Sequence, residues 1–264
     1  MIDQDNTQKC DGDLIAYFMR HLVPVFFTFT KGSDSHSAVI TSFVMSIADQ
    51  WFLVSAGHCL KQIKENITTH GYKITNCLLV DSLGLAAKHI EPIPFSYEDS
   101  LPTHVSDDAN FDYGFMILTP YYRRLLEKNN IQPLDEEVWK RQPSEVDFYT
   151  MIGMANELTT VTSESLTTTP SLHRIIQLDG RPEVFPKTDI PLFYGCIVLG
   201  NALTSIKGMS GGPIFAFRKN AQGQLRYWLT ALQSRWIPRL HYIVAYPTKL
   251  LGDTLETILL KLRV

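Results

Sequence analysis

Two short segments of the chain place a histidine and an aspartate where buried strands are expected to begin or end. His58 follows the apolar run that ends at Val54 and stands next to Cys59, so an imidazole is expected just beyond a strand. Asp112 precedes the apolar run Phe115–Leu118. A carboxylate at the mouth of a buried strand is costly unless it has hydrogen-bond partners. The pair can therefore supply a base and the group that orients it.

A third segment places a serine among glycines. Ser210 lies within Gly-Met-Ser-Gly-Gly-Pro at residues 208–213. Glycines permit backbone turns in which the hydroxyl and the neighbouring N–H groups face a substrate. Each segment alone has a structural explanation, such as a turn or a hydrogen-bonded strand end. Together, in the order His58, Asp112, Ser210, they indicate a nucleophilic triad.

The elements that must position these residues are mostly strands. Short runs rich in β-branched and aromatic residues recur from Val25 to Ala245, separated by polar turns, and Ala38–Ser46 is predicted as one strand. This pattern favours an all-β barrel or sandwich. A short N-terminal helix is expected over residues 14–22, and apolar residues at helical spacing predict a closing helix over 250–262.

Composition excludes several classes of protein. The 264 residues are 45% hydrophobic and 19% charged, which is typical of a globular chain and not of a disordered or coiled-coil one. A net charge of −3 gives no sign of a nucleic-acid-binding surface. The polar, acidic N-terminus and the lack of an apolar stretch of membrane-spanning length predict a cytoplasmic protein without membrane contact. We find no metal-ligand spacing or phosphate loop, so no metal or cofactor is expected.

The three segments resemble those of chymotrypsin- and trypsin-like serine proteases, which carry a small-small-His-Cys segment, an Asp before apolar residues, and Gly-x-Ser-Gly-Gly-Pro in that order. The resemblance runs from about Val25 to the C-terminus. It implies two packed six-stranded antiparallel β-barrels: an N-terminal extension (1–24), a first barrel with His58 and Asp112 (25–125) and a second with Ser210 and the closing helix (126–264). The active site is then expected in the cleft between them.

The resemblance also implies a role for each residue of the triad. Ser210 is expected to attack the scissile carbonyl, His58 to act as general base, and Asp112 to hold the imidazole tautomer. The N–H groups of Gly208 and Ser210 are expected to form the oxyanion hole. Ser234 is expected to support Asp112 by a hydrogen bond.

The specificity pocket follows from the same resemblance. Arg235 and Trp236 are expected to border it, its base falls on Thr204 and its wall on Ala245. Thr204 and Ala245 are uncharged, so we expect a small, polar or apolar side chain before the cleaved bond, in a protein or peptide substrate, and not Lys or Arg. Arg235 leaves an acidic preference open, and Trp236 is expected to restrict the pocket if it fills part of it.

Two features depart from the secreted members of that family. Those members usually carry an Asp just before the nucleophile, which pairs with a freshly cleaved N-terminus, whereas Met209 occupies this position here. Activity is therefore expected not to depend on N-terminal processing, and control is expected from a regulatory protein partner or the N-terminal extension.

The cysteines are the second departure. Their even number admits two disulfides, but no C-x-x-C pair is present. Phe43 stands where secreted relatives carry the disulfide partner of Cys59, and Ile206 stands at another of their cysteine positions. The resemblance therefore implies unpaired thiols in a reducing compartment. These thiols belong to Cys10, Cys59, Cys77 and Cys196.

Two alternatives to a peptidase stay open at this point. The first is a chymotrypsin-fold binding module that keeps the triad but cleaves nothing, which the missing charged anchor at Met209 motivates. The second is an esterase on an unrelated fold. The residue order argues against it, because α/β-hydrolases run Ser-Asp-His and have a helix after the nucleophile, whereas Pro213 here precedes a strand.

Overall fold

The computed structural model describes residues 14–84, 87–97, 104–105, 112–161, 166–200 and 203–262. The helical elements are α1 (14–18) with a 3-10 turn at Met19–His21, α2 (Gly57–Thr68), α3 (Pro120–Lys128), α4 (Glu136–Trp139), a 3-10 turn at Pro238–Leu240 and α5 (Thr248–Leu262). Among the helices in these ranges, none is both long and apolar enough to cross a membrane.

The strands are of two kinds: short ones in the first half of the chain and mostly longer ones in the second. In chain order they are β1 (Val25–Lys31), β2 (Asp34–Ile40), β3 (Phe43–Ile47), β4 (Gln50–Ser55), β5 (Lys73–Leu79), β6 (Ile93–Pro94), β7 (His104–Val105), β8 (Gly114–Ile117), β9 (Phe148–Val161), β10 (Leu166–Gln177), β11 (Phe193–Val198), β12 (Pro213–Lys219), β13 (Leu225–Ile237) and β14 (Tyr242–Pro247).

The strands form two antiparallel halves. In the second half, β10-β11-β14-β13-β12-β9 close into a six-stranded barrel. In the first half, the described strands form two four-stranded sheets, ordered β2-β1-β5-β6 and β3-β4-β8-β7. The predicted all-β fold with two antiparallel halves is thus confirmed, whereas a single six-stranded ring in the first half is not what these strands form.

Burial explains why these segments are strands. β4 is buried from Trp51 to Ser55, and β1 alternates toward its end between buried and partly exposed residues. One apolar cluster fills the first half, another fills the second barrel, and a third joins the two halves. Phe18 of α1 belongs to this joining cluster and packs on Phe215, with ring centroids 4.4 Å apart.

The prediction of one strand over Ala38–Ser46 is wrong. The strand is interrupted at Thr41 and Ser42, and the flanking strands β2 and β3 belong to different sheets. Both hydroxyls are fully buried and bond outside the strand ladder. Because buried polar groups must find partners, these bonds interrupt the strand.

The helices at the two ends differ modestly from expectation. The N-terminal helix is α-helical over residues 14–18 and tightens into the 3-10 turn before residue 22. Helix α5 begins at Thr248, two residues before the predicted start, and packs on β13 and β14. The proposed boundary at residue 126 stays a prediction; Leu126 itself lies in α3 and packs into the cluster of the first half.

Candidate active site

Strand pairing brings His58 and Asp112 together. Ser55, the last residue of β4, pairs with Gly114, the first residue of β8. His58 follows β4 and Asp112 precedes β8, so the register places them side by side. Gly57 allows this close approach, since a Cβ there would lie 2.9 Å from the carbonyl oxygen of Tyr113.

Asp112 holds His58 through two hydrogen bonds. The backbone N–H of His58 donates to Asp112 Oδ1 at 2.7 Å, and the ring Nδ1 donates to Asp112 Oδ2 at 2.8 Å. The imidazole therefore presents Nε2 to the outside, where its side chain is 47% exposed. Burial alone would lower the pKa of His58, but the hydrogen bonds and charges of Asp112 and Cys59 raise it.

Ser234 of β13 completes the support of Asp112, as the sequence predicted. Its hydroxyl donates to Asp112 Oδ2. The β13–β14 register shifts between Gln233 and Arg235, which places Ser234 at an irregular point of the strand. Burial would raise the pKa of Asp112, but hydrogen bonds from His58 and Ser234 and the charge of His58 lower it.

Ser210 lies across the groove on the loop before β12. Its Oγ donates to the carbonyl oxygen of Ser234 at 3.4 Å. Within the described residues, no hydrogen bond joins Ser210 Oγ to the His58 ring. Such bonds are often long or misaligned without substrate and form in the substrate complex. His58 and Ser210 thus line one groove, Asp112 lies behind His58, and the serine hydroxyl is turned toward β13.

The loop around Ser210 has the backbone that its glycines allow. Gly208 and Gly211 have φ of 93° and 91°, a region that residues with a side chain rarely adopt. The N–H of Gly211 donates to the carbonyl of Gln233 at 2.8 Å. No described residue accepts a hydrogen bond from the N–H of Gly208 or Ser210.

The groove in front of the triad has a volume of about 410 Å³. His58 and Ser210 line it together with Cys59 and Asn156. The Cys59 thiol donates weakly to the carbonyl of Ser210, with a sulfur–oxygen distance of 3.9 Å. Cys59 is unpaired, as are Cys77 and Cys196, which confirms that prediction for these three residues.

A second cavity of about 170 Å³ adjoins the triad behind Asp112. Three of the predicted substrate-binding residues line it: Ser234, Arg235 and Ala245. The rest of its wall is mainly apolar and comes from the segment before β11, from β11 itself and from β14. These residues are Phe185, Pro186, Leu192, Tyr194, Val244 and Tyr246.

Two predicted pocket residues lie elsewhere. Thr204 is exposed, and Glu157 of β9 accepts hydrogen bonds from its N–H at 2.9 Å and from its hydroxyl at 2.6 Å. Trp236 is half-buried against the apolar cluster of the second barrel, and its buried Nε1 has no hydrogen-bond partner among the described residues. Sequence reasoning missed Glu157, which carries no motif.

The position before the nucleophile is apolar in its surroundings as well as in its side chain. Met209 is fully buried within the cluster of the second barrel. Its sulfur accepts a hydrogen bond from the Ser171 hydroxyl at 3.7 Å.

Over the described ranges, no group of three or more His, Cys, Asp or Glu side chains is placed to bind a metal ion.

Solved structures that resemble this chain include chymotrypsin-fold serine proteases and a relative of them. The scabies mite inactivated protease paralogue S-I1 is 14% identical with a TM-score of 0.51, covering 90% of this chain and 94% of that chain. The thermostable serine protease AL20 from an extremophilic microorganism is 15% identical with a TM-score of 0.49, covering 87% and 91%. An active-form protease from M. tuberculosis is 14% identical with a TM-score of 0.45, covering 94% and 85%.

These likenesses bear on the fold alone. The scabies mite paralogue, with the highest of the three TM-scores, shows that this chain has the chymotrypsin fold that the sequence segments predicted. No protein-family model matches the sequence, and a search of the curated proteins finds no match.

Proposed function

We propose that this chain is a serine endopeptidase that hydrolyses peptide bonds through an acyl-enzyme. The observation that carries the proposal is the hydrogen-bonded series from Ser234 through Asp112 to His58 Nδ1, which leaves Nε2 facing the groove that Ser210 lines. A histidine held in this tautomer by a buried carboxylate is the arrangement that activates a serine nucleophile.

The reaction begins with rotation of the Ser210 hydroxyl from the Ser234 carbonyl toward His58. Ser210 Oγ attacks the scissile carbonyl while His58 Nε2 takes its proton and then returns it to the leaving amine. The N–H groups of Gly208 and Ser210 stabilise the oxyanion. Water, deprotonated by the same imidazole, then hydrolyses the acyl-enzyme.

Activity without N-terminal processing is part of this proposal. Met209 is buried among apolar side chains and has no charge to receive a new N-terminus. We expect the full-length chain, with its original N-terminus verified by sequencing, to be as active as any shortened form. Strict dependence of activity on a trimmed chain would contradict this part.

The proposed substrates are proteins or peptides with a small, polar or apolar side chain before the cleaved bond. The support is the uncharged Ala245 and the mainly apolar wall of the cavity behind Asp112. Profiling of a peptide library tests the preference, and selective cleavage after Lys or Arg would contradict it.

A cytoplasmic location is supported by the three unpaired cysteines, since disulfides are rare in reducing compartments.

One observation favours a second candidate, a chymotrypsin-fold binding module without activity. The Ser210 hydroxyl bonds to Ser234 and not to His58. The matching scabies mite protein is an inactivated protease paralogue, so the fold by itself does not decide activity.

A fluorophosphonate probe discriminates the two candidates. We expect the wild-type chain to be labelled, Ser210→Ala to be unlabelled, and Ser35→Ala, which removes an exposed hydroxyl on β2, to be labelled as fast as wild type. Peptide hydrolysis by Ser210→Ala is expected to fall on the order of 10⁶-fold in kcat. A wild-type chain that is folded but not labelled supports the binding module.

A further inference from the structure

Thr41, in the break between β2 and β3, joins the two halves of the molecule at the loop of Ser210. Its side chain is fully buried. The hydroxyl donates to the carbonyl oxygen of Gly208 at 2.7 Å and accepts from the backbone N–H of Met154 at 3.0 Å. A residue of the first half thereby connects the loop to strand β9 of the second barrel.

The backbone of Thr41 contacts the other side of the same loop. Its carbonyl oxygen accepts the Ser55 hydroxyl at 2.7 Å and lies 2.5 Å from where a Cβ on Gly211 would stand. Its methyl group lies 3.3 Å from the equivalent point on Gly153. Thr41 therefore borders the loop at Gly208 and Gly211, before and after the nucleophile.

The neighbouring peptide is held as well. The carbonyl of Lys207 accepts the N–H of Asn156 at 2.7 Å, and this peptide carries the N–H of Gly208. With the Thr41 bond to the Gly208 carbonyl, the peptides on both sides of Gly208 are fixed. Both bonds are neutral, and Met209 contributes apolar contacts and no charge.

We propose that Thr41 is a positioning residue for the proposed reaction, holding the loop of Ser210 so that the N–H groups of Gly208 and Ser210 face the oxyanion. The inference rests on the proposed function. Without the hydroxyl, the part-buried Gly208 carbonyl and the N–H of the buried Met154 lose this partner, and the loop shifts to satisfy them.

Kinetics provide the first test, with Thr41→Val, Thr41→Ser and the control Ser42→Ala. Valine keeps the shape of threonine but lacks the hydroxyl, serine restores it, and Ser42→Ala removes a buried hydroxyl that bonds to Val23 and not to the loop. We expect Thr41→Val to lose about 10²-fold in kcat with little change in KM, because the loss concerns the transition state. Thr41→Ser and Ser42→Ala are expected to stay within a few-fold of wild type.

Two kinetic results would overturn the proposal. One is a Thr41→Val enzyme with wild-type kcat, and the other is a Ser42→Ala enzyme with an equal loss, which would indicate general destabilisation. If Thr41→Val does not fold, as judged by its circular dichroism and thermal transition, Thr41→Ala replaces it with the same expectation.

A second measurement does not depend on activity. The chain has 15 glycines, so a sample labelled with ¹⁵N-glycine gives a resolvable amide spectrum. We expect Thr41→Val to shift or broaden the signals of Gly208, Gly211 and Gly153 and to leave the turn glycine Gly223 unchanged. Unchanged signals at Gly208, Gly211 and Gly153 would refute the role of Thr41.

Fluorophosphonate labelling and the glycine spectrum together distinguish a failure of the proposed peptidase function from a failure of the proposed role of Thr41. A folded wild-type chain that fluorophosphonates do not label overturns the proposed function, while the glycine spectrum still decides whether Thr41 holds the loop. A labelled wild type with an unaffected Thr41→Val variant overturns only the role of Thr41.

Discussion

Acidification is expected to destabilise this protein through His21, which joins the N-terminal extension to the body of the molecule. The side chain is 3% exposed. Its Nδ1 donates to the carbonyl oxygen of Gln132 at 2.7 Å, and its Nε2 accepts from Arg20 Nε at 3.4 Å. In the neutral form both ring nitrogens therefore have hydrogen-bond partners. Protonation of Nε2 would direct its new proton at the Arg20 guanidinium.

The magnitude follows from the pKa. Burial lowers the pKa of His21 from 6.5 to about 4; the bond to Gln132 opposes this change and the charge of Arg20 adds to it. Because the unfolded chain binds the proton more tightly, the free energy of unfolding is highest above pH 6.5 and falls as the pH drops toward 4. Between pH 7.5 and pH 5 the loss from this residue is about 2 kcal/mol.

Urea unfolding followed by tryptophan fluorescence at these two pH values tests the reasoning, with His21→Gln as the non-titrating comparison. We expect the wild-type chain to lose about 2 kcal/mol more stability than the variant between pH 7.5 and pH 5. Other groups, including the buried His173 whose pKa burial also lowers, titrate in both proteins and cancel. Equal pH-dependent losses in the two proteins would show that His21 does not control this transition.

Three further outcomes are expected. Asp112→Asn should lower kcat on the order of 10⁴-fold and move the acid limb of the residual pH–rate profile to lower pH, because the lost charge no longer raises the pKa of His58; an unmoved limb would contradict the pairing. Gly208→Ala should lower kcat by about 10²-fold, because φ is 93° and the new Cβ would lie 2.2 Å from Asn156 Oδ1 and 2.7 Å from the Met154 carbonyl oxygen; kinetics with a thermal melt check it, and a wild-type kcat would contradict it. In native-state alkylation followed by mass spectrometry, Cys77 should react last of the three described thiols, because burial raises its pKa to about 12; early modification would refute this.

Local patterns are enough to single out the three candidate residues His58, Asp112 and Ser210. An apolar run followed by small residues and His58, and a carboxylate just before another apolar run, mark strand ends whatever the topology. What local patterns lack is the register. The Ser55–Gly114 pairing that brings His58 to Asp112 depends on contacts between distant segments. The family resemblance puts both residues in the first barrel but does not give this register.

The specificity pocket shows where that resemblance stops helping. The resemblance puts the pocket base at Thr204 by sequence position alone, which does not give the direction of the side chain. The structure turns Thr204 toward Glu157 at the surface. Glu157 has no motif around it, and its role as the acceptor depends on how β9 lies beside the loop. Distances along the chain therefore do not predict which side chains line the specificity pocket.

Thr41 was invisible for a different reason. In the sequence it is an ordinary β-branched residue within an apolar run. The importance of its hydroxyl becomes evident only from the fold, in which Gly208 of the other half accepts its hydrogen bond. Each half supports the other, because Thr41 of the first half binds Gly208 of the second, and Ser234 of the second barrel binds Asp112 of the first half. Each half thus completes a part of the site that the other half carries. Separating the halves would disorganise the base and the oxyanion loop together, so the site exists only while the two halves remain docked.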